Sequence, residues 1–266
     1  MDLTVPEYAY MFGFLQADGH LYQGSGQRGR LTVEINIRDI DLLYRFKHLT
    51  PYNSSVTERT RSTNFADSHQ SAIWTLCSLA ARTTLNQLGL PYGRKSSSIA
   101  PPLVSFSSRD YLRGLVDADG SVGYTGPGIP FVSLTTSSTA VGVHLCEYAQ
   151  KATGAARTLK RNVRDGVYNI MYQKEAAQAL AADLYYPGCL SLGRKQVKAD
   201  SVASWIRPAD MRITGPRRSW TAHEDRELLQ SDDIAATAEK FGRSEKGCRL
   251  RLWRLRTARV SPPSNN

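Results

Sequence analysis

The chain has 266 residues, 34 Lys and Arg against 24 Asp and Glu, a formal net charge of +10 and a pI near 9.6. A surface this basic attracts phosphate and makes binding salt-dependent, without separating DNA from RNA or from an anionic membrane surface. No apolar run approaches the ~20 residues of a spanning helix, no signal-peptide pattern opens the chain, and Cys77, Cys146, Cys189 and Cys248 lack zinc spacing; the expectation is a reducing, intracellular compartment and no membrane partner.

In chain order, Met11–Gly19 reads as an apolar helix ending in Ala-Asp-Gly. Gly13 and Ala17 lie one turn apart on it, a flat stripe on which a second helix backbone can approach closely. Gly24-Ser-Gly-Gln-Arg-Gly29 matches the GxGxxG dinucleotide pattern, but that pattern needs a strand before it and a helix after it. Here a strand follows, so a glycine-rich hairpin turn is predicted. Residues 30–37 alternate strictly, with Leu31, Val33, Ile35 and Ile37 inward and Arg30, Thr32, Glu34 and Asn36 outward. Asp39 is placed to cap a helix, strands are predicted at 54–61 and 70–78, and Gly93-Arg94-Lys95 follows.

The same order then recurs. Leu112–Gly120 repeats the apolar stretch, with Gly114 and Ala118 again one turn apart, and Asp119 lies 101 residues after Asp18 (119 − 18). Val132 and Leu134 repeat Leu31 and Val33 at that offset, Thr139 stands as a cap like Asp39, and strands are predicted at 156–162 and 166–173. Gly193-Arg194-Lys195 places Lys195 100 residues after Lys95 (195 − 95), so acid and lysine are 77 (95 − 18) and 76 (195 − 119) residues apart. Chance supplies one Ala-Asp-Gly, not two with matched basic partners. The chain reads as a duplicated unit with one acid and one lysine per copy.

Each helix is expected to stop at Gly19 or Gly120 in the left-handed cap conformation. Asp18 and Asp119 would then lie side by side at the carboxyl ends of two touching helices. The helix dipole disfavours anions there by roughly 0.3–1 kcal/mol each, and like charges raise each other's pKa. Divalent cations held between the acids relieve both problems. Hard metals such as magnesium take carboxylate and water oxygens, and paired metal sites drive phosphodiester cleavage.

The two segments resemble the LAGLIDADG motifs of homing endonucleases in the single-chain, two-motif form, over residues 1–205. The resemblance implies an α+β fold of two pseudo-symmetric αββαββα-type halves, 1–105 and 106–206, whose saddle-shaped antiparallel sheets sit on duplex DNA as a monomer with internal pseudo-twofold symmetry. It implies Asp18 and Asp119 as ligands of Mg2+ (or Mn2+), with Ala17 and Ala118 beside them at the metal site, and Lys95 and Lys195 as active-site base or charge stabiliser. Two departures stand out: Gln16 replaces the usual earlier acid of the first motif, which Asp117 keeps in the second, and a glutamine many members carry after the second strand is Ile37 or Ser137 here. The residues expected to face DNA are Arg28, Arg30, Thr32, Glu34, Asn36, Arg59, Arg61, Ser133, Thr135, Arg157, Lys160 and Arg161.

Residues 207–218 are basic and broken by Pro and Gly, as a linker is. Then Ser219 or Thr221 can cap a helix holding Leu228 and Leu229, Asp232 or Asp233 a second with Ile234, Ala235, Ala238 and Phe241 inward, Gly242 ends that one, and Ser244 caps a third. Cys248, Leu252 and Leu255 form the core stripe of this last helix; Lys246, Arg249, Arg251 and Arg254 are its expected DNA contacts, in the manner of a helix-turn-helix. Residues 219–259 resemble Myb/SANT-like domains through Trp220-Thr-x-x-Glu224-Asp225 and Arg243-Ser-x-x-Gly-Cys248-Arg-x-Arg251, departing at Leu252 where a core tryptophan is common. Residues 260–266 read as a disordered tail. The parts together point to an endonuclease that cuts double-stranded DNA at a long site, leaving short 3′ overhangs. The rival readings are a catalytically inactive DNA-binding regulator on the same scaffold and an intron RNA maturase; retention of both acids and both lysines disfavours the first, and the helix-turn-helix disfavours the second.

Overall fold

The computed structural model describes residues 1–63, 66–209, 211 and 219–260. The chain divides into two compact units, residues 1–207 and 208–266. In the first, α1 (Pro6–Asp18), β1 (His20–Tyr22), β2 (Arg30–Asn36), α2 (Ile40–Leu49), β3 (Ser54–Thr63), β4 (Ala66–Leu76) and α3 (Leu79–Gln87) are followed by α4 (Ser108–Asp119), β5 (Gly120–Tyr124), β6 (Pro130–Thr136), α5 (Thr139–Thr153), β7 (Tyr168–Gln173), α6 (Glu175–Leu184) and α7 (Gly193–Ala203). The second unit carries α8 (Ala222–Gln230), α9 (Ile234–Phe241) and α10 (Glu245–Arg256).

Helices α1 and α4 pack against each other and are buried on all sides through residues 9–16 and 110–117. Their contact is backbone on backbone. A methyl group on Gly13 would stand 2.2 Å from the carbonyl oxygen of Tyr111, and one on Gly114 would stand 2.1 Å from that of Tyr10. The paired small residues in the sequence thus mark a reciprocal close approach. At the ends of these helices the left-handed cap is not formed: Gly19 (φ −69°, ψ 143°) and Gly120 (φ −110°, ψ −175°) are extended. The chain turns straight into β1 and β5, and a side chain at Gly120 would fall 2.4 Å from the Ser133 carbonyl oxygen. Proximity, not backbone handedness, requires glycine there.

The first sheet has the order β1-β2-β4-β3, antiparallel throughout. Leu31, Val33, Ala72, Trp74 and Leu76 are buried on its core face, against Leu42, Leu43 and Phe46 of α2. Phe46 meets Phe14 and Trp74 edge-on, with ring centroids 5.5 and 6.0 Å apart, and each such side chain contributes roughly 1.5–3 kcal/mol by leaving water. The second sheet is β5-β6-β7 and is covered by α5 and α6 through Val141, Leu145, Ala177, Leu180 and Ala181.

The strand expected at 156–162 is not formed; only Arg161 bridges to Tyr168. Side chains take the place of a ladder: the Arg157 guanidinium donates to the Met171 carbonyl of β7, and that of Arg161 donates to the Gly166 and Ser137 carbonyls at 2.5 and 3.3 Å while lying 4.5 Å over the Tyr168 ring. The expected caps also move. Asp39 makes no cap bond because Arg194 holds its carboxylate at 3.0 and 3.2 Å, and Ser138 rather than Thr139 caps α5, accepting from the Val141 amide at 3.1 Å.

In the second unit Thr221 and Glu224 form a capping box on α8, Asp233 accepts from the Ala235 and Ala236 amides at 2.8 and 3.1 Å, Gly242 ends α9 in the left-handed conformation, and Ser244 caps α10. Leu228, Ala238, Phe241, Cys248, Leu252 and Leu255 are buried. Ala235 is exposed and Leu229 is 37% exposed, because the inward stripe of α9 runs 234, 238, 241 and that of α8 centres on Leu228. Residues 212–218 of the expected linker and 261–266 of the expected tail lie outside the described residues. Among the described residues no helix is long and apolar enough to cross a membrane.

Gly13→Ala and Gly114→Ala should each destabilise the first unit by about 1–3 kcal/mol or more, since neither clash can be relieved by a side-chain rotation. Gly126→Ala, where an added methyl meets nothing within 4 Å, should change stability by no more than about 0.5 kcal/mol. Denaturant midpoints of the three variants against the parent chain test this.

Candidate active site and nucleic-acid face

Asp18 and Asp119 are the last residues of α1 and α4. Lys95 and Lys195 reach the same helix ends from elsewhere in the chain and are 8% and 6% exposed. Lys95 sits in a turn after Gly93, where its carbonyl accepts from the Ser98 and Ile99 amides at 2.9 and 3.0 Å. Its ammonium donates to the Gln16 carbonyl at 2.6 Å and to that of Ala17. Lys195, in the first turn of α7, donates to the carbonyls of Val116, Asp117 and Gly120 at 2.7, 2.6 and 2.8 Å. The Gln16, Ala17 and Asp117 carbonyls lie in the last turns of α1 and α4, where a helix runs out of amide partners, and a cation there complements the dipole. The Ala17 carbonyl is thus engaged by a lysine, while the bonds of Lys195 fall before and after Ala118.

The two carboxylates keep an open side to solvent, yet the protein behind them raises the pKa of both. Burial lifts Asp18 to about 6, reinforced by the Asp119 charge and opposed by Lys95 and Lys195. Burial also lifts Asp119, against the pull of the same two lysines. Lys95 is lowered by burial despite both acids, and Lys195 is lowered by burial to about 8, with Asp117 the main opposing charge. Four ionisable groups therefore share one partly desolvated patch.

Among the described residues no group of three or more His, Cys, Asp and Glu is arranged to hold a metal. The donors on offer are two carboxylates and nearby backbone carbonyls, all hard oxygen. That set fits a cation that binds through one or two carboxylates and keeps several waters, as magnesium does. Beside Asp119, Gln16, Ala17, Ser96, Ile99, Thr135, Thr136, Ser137 and Val167 line a pocket rich in hydroxyls.

The outward face of the first sheet is a polar groove lined by His20, Tyr22, Arg30, Thr32, Glu34, Thr57, Ile73 and Thr75. Strand alternation places Arg59 and Arg61 farther along this face, opposite Ser71 and His69 in register. Glu34 accepts from the Ser71 hydroxyl at 2.7 Å and pairs with Arg61 at 3.2 Å, so that arginine is partly neutralised. Asn36 is exposed at the strand end and its side chain accepts from the Arg38 amide. Arg28 is exposed in the glycine-rich turn. In the second sheet Ser133 and Thr135 face outward, Thr135 bonding Asn169 at 3.0 Å. Lys160 is exposed, whereas Arg157 and Arg161 are tied to β7 and its flanking turn as described above.

Sequence reasoning missed Arg82. It is fully buried in α3, and its guanidinium donates to the carbonyls of Gly24, Gly26 and Cys77. It therefore shapes the glycine-rich turn from beneath. The available signal was its position beside Ala81 and Leu85 on the buried stripe of α3.

On α10, Lys246, Arg249 and Arg254 are exposed, Arg249 pairing with Glu245 four residues before it. Arg251 is different. Its guanidinium forms a two-point ion pair with the buried Asp225 at 2.8 and 2.6 Å, and Arg243 does the same to Glu224 at 2.9 and 2.8 Å while stacking 3.9 Å over Trp220. Arg251 thus ties α10 to α8.

No family model matches the chain and no curated protein matches it. The fold nonetheless resembles that of one solved homing endonuclease. The solved structure of the homing endonuclease I-WcaI bound to its DNA recognition sequence aligns with a TM-score of 0.52 at 11% identity, over 75% of this chain and 88% of that one. The I-LtrWI LAGLIDADG homing endonuclease bound to target DNA (TM-score 0.44, 10% identity, 74% and 88% covered) and full-length DUF199/WhiA from Thermatoga maritima (0.45, 13%, 98% and 84%) align less well; the fold assignment rests on the first.

Because the folded-state pKa of Asp18 lies above the ordinary carboxylate value, the folded chain binds more protons than the unfolded one between roughly pH 4 and 6, and stability falls as pH rises through that window. Asp18→Asn should therefore melt higher than the parent at pH 7.5, with the gain shrinking below pH 6, read by thermal unfolding in metal-free buffer. Separately, Arg251→Ala should destabilise the second unit by on the order of 3 kcal/mol by stranding Asp225; an unfolding transition as high as the parent's would refute that assignment.

Proposed function

We propose that this chain is a site-specific, divalent-metal-dependent endonuclease acting on double-stranded DNA, with one acid and one lysine from each half. The observation that carries the reading is the pair of carboxylates at the touching ends of α1 and α4, flanked by two buried lysines. A phosphodiester is hydrolysed by forming a bond from water oxygen to phosphorus and breaking one to a sugar oxygen. Asp18 and Asp119 would hold Mg2+ or Mn2+, which supply Lewis acidity for that exchange. Lys95 and Lys195, fixed by helix-end carbonyls, hold positive charge where the phosphate develops negative charge. Their geometry costs no reorganisation at the moment of reaction.

In this reading the halves 1–105 and 106–206 are related by a pseudo-twofold axis, and their sheets form a saddle on the duplex as a monomer. Arg30, Thr32, Asn36, Arg59, Ser133 and Thr135 would meet base edges and phosphates. Residues 219–259 form a Myb/SANT-like module whose α10 enters the major groove with Lys246, Arg249 and Arg254, adding affinity through effective concentration. The DNA-bound state of I-WcaI supports the choice of duplex DNA as partner, as does the net charge of +10.

The test is cleavage of a plasmid library of candidate sites with magnesium or calcium. Magnesium should give double-strand cuts with short 3′ overhangs, and Asp18→Asn, Asp119→Asn, Lys95→Met and Lys195→Met should each lower the rate roughly 10²–10³-fold. Tight, salt-sensitive binding without cutting would replace this reading with that of a DNA-binding regulator. Lys246→Ala and Arg254→Ala should each flatten the salt dependence of binding by about one unit of slope.

A further inference from the structure

Gln16 and Asp117 occupy the same place in the two motif helices (117 − 16 = 101) and are 0% and 1% exposed. Each receives a hydrogen bond across the helix contact from a tyrosine of the other half: Tyr111 donates to Gln16 at 2.6 Å and Tyr10 to Asp117 at 2.8 Å. Those tyrosines are themselves 101 apart (111 − 10). Beyond this shared bond the two positions do opposite things.

The Gln16 amide nitrogen donates to the carbonyls of Gly89 and Ala100 at 2.8 and 3.0 Å, at the two ends of the segment that carries Lys95. Asp117 accepts from the Tyr185 hydroxyl and the Leu192 amide, both at 2.7 Å, in the segment that leads into Lys195. Leu192 in turn accepts from the Lys195 amide at 2.8 Å. A ring closes in each half, because the ammonium of Lys95 lands on the Gln16 carbonyl and that of Lys195 on the Asp117 carbonyl, each at 2.6 Å.

We propose that Gln16 and Asp117 are positioning residues that set the two lysines by opposite hydrogen-bonding chemistry, so that the residues at this position cannot be exchanged between halves. The segment 89–100 presents carbonyl oxygens and needs a donor, which an amide has and a carboxylate lacks. The segment 185–192 presents an N–H and an O–H and needs an acceptor, which a carboxylate supplies on both oxygens. An acid at position 16 would aim an oxygen at two carbonyls. An amide at 117 would aim an NH2 group at donors. Either mismatch leaves buried polar groups unsatisfied. The substitution that looks like a repair of the first motif, Gln16→Glu, is therefore a damaging one.

The proposal rests on the endonuclease reading only for its catalytic readout. In the full chain, amide hydrogen exchange is measured over peptides covering 89–100 and 185–195, alongside the nicking rate of each strand of a cleavable duplex. Gln16→Glu should raise exchange about tenfold over 89–100 and far less over 185–195, slow one strand more than the other, and leave DNA affinity unchanged. Asp117→Asn should do the reverse and slow the other strand. Exchanging both, Gln16→Glu with Asp117→Asn, should leave both segments loosened. Should Gln16→Glu fail to fold, Gln16→Met removes the donors without adding charge and should still loosen 89–100 selectively. Equal loosening of both segments by either single variant, or full protection in the double variant, would overturn the proposal. A parent chain that cuts no DNA would remove the endonuclease reading while the exchange data still decide the positioning role.

Discussion

Everything at the candidate site depends on how closely α1 and α4 approach. Their separation is set where Gly13 faces the Tyr111 carbonyl and Gly114 faces that of Tyr10, with no room for a methyl group on either side. The helix ends that carry Asp18 and Asp119 lie a little over one turn beyond. Widening the contact would separate the carboxylates and shift the carbonyls on which the lysines rest. It would also break the tyrosine bonds that cross from one helix to the other. A hydrophobic interface of ordinary width would hold the two helices together, but it would move the Asp119 charge away from Asp18, whose pKa it helps to raise.

The site is electrostatically expensive. Two anions at helix carboxyl ends are each disfavoured by roughly 0.3–1 kcal/mol, and both are raised in pKa by the protein behind them. Against this stand five ammonium–carbonyl hydrogen bonds from Lys95 and Lys195, a type worth about 1.5–3 kcal/mol apiece when the donor is charged. Each lysine thus fastens its own segment to one helix end, Lys95 to α1 and Lys195 to α4, and their charges only partly offset the burial of the carboxylates.

Much of this was legible in local pattern. The small residues at 13, 17, 114 and 118, the alternation of 31–37 and the caps at Thr221, Asp233 and Ser244 all act over a few residues, and periodicity sees that range. What escaped was decided by partners far along the chain. Asp39 fails to cap α2 because Arg194, 155 residues later, holds its carboxylate. Arg251 is paired by Asp225, 26 residues earlier. In the sequence Gln16 is only a departure from the acid that Asp117 keeps, and the contrast becomes intelligible only when the groups facing each side chain are known.

The two sheets also differ in width, four strands against three. In the second half Arg157 and Arg161 are spent fastening the segment beside β7, so that half offers fewer backbone-ordered rows of side chains and fewer uncommitted guanidinium groups than the first. Under the endonuclease reading proposed above, with a duplex laid across both sheets, information content would be unevenly divided. The half-site beneath the four-stranded sheet would be the more stringently read, and the other would tolerate more sequence drift in the target.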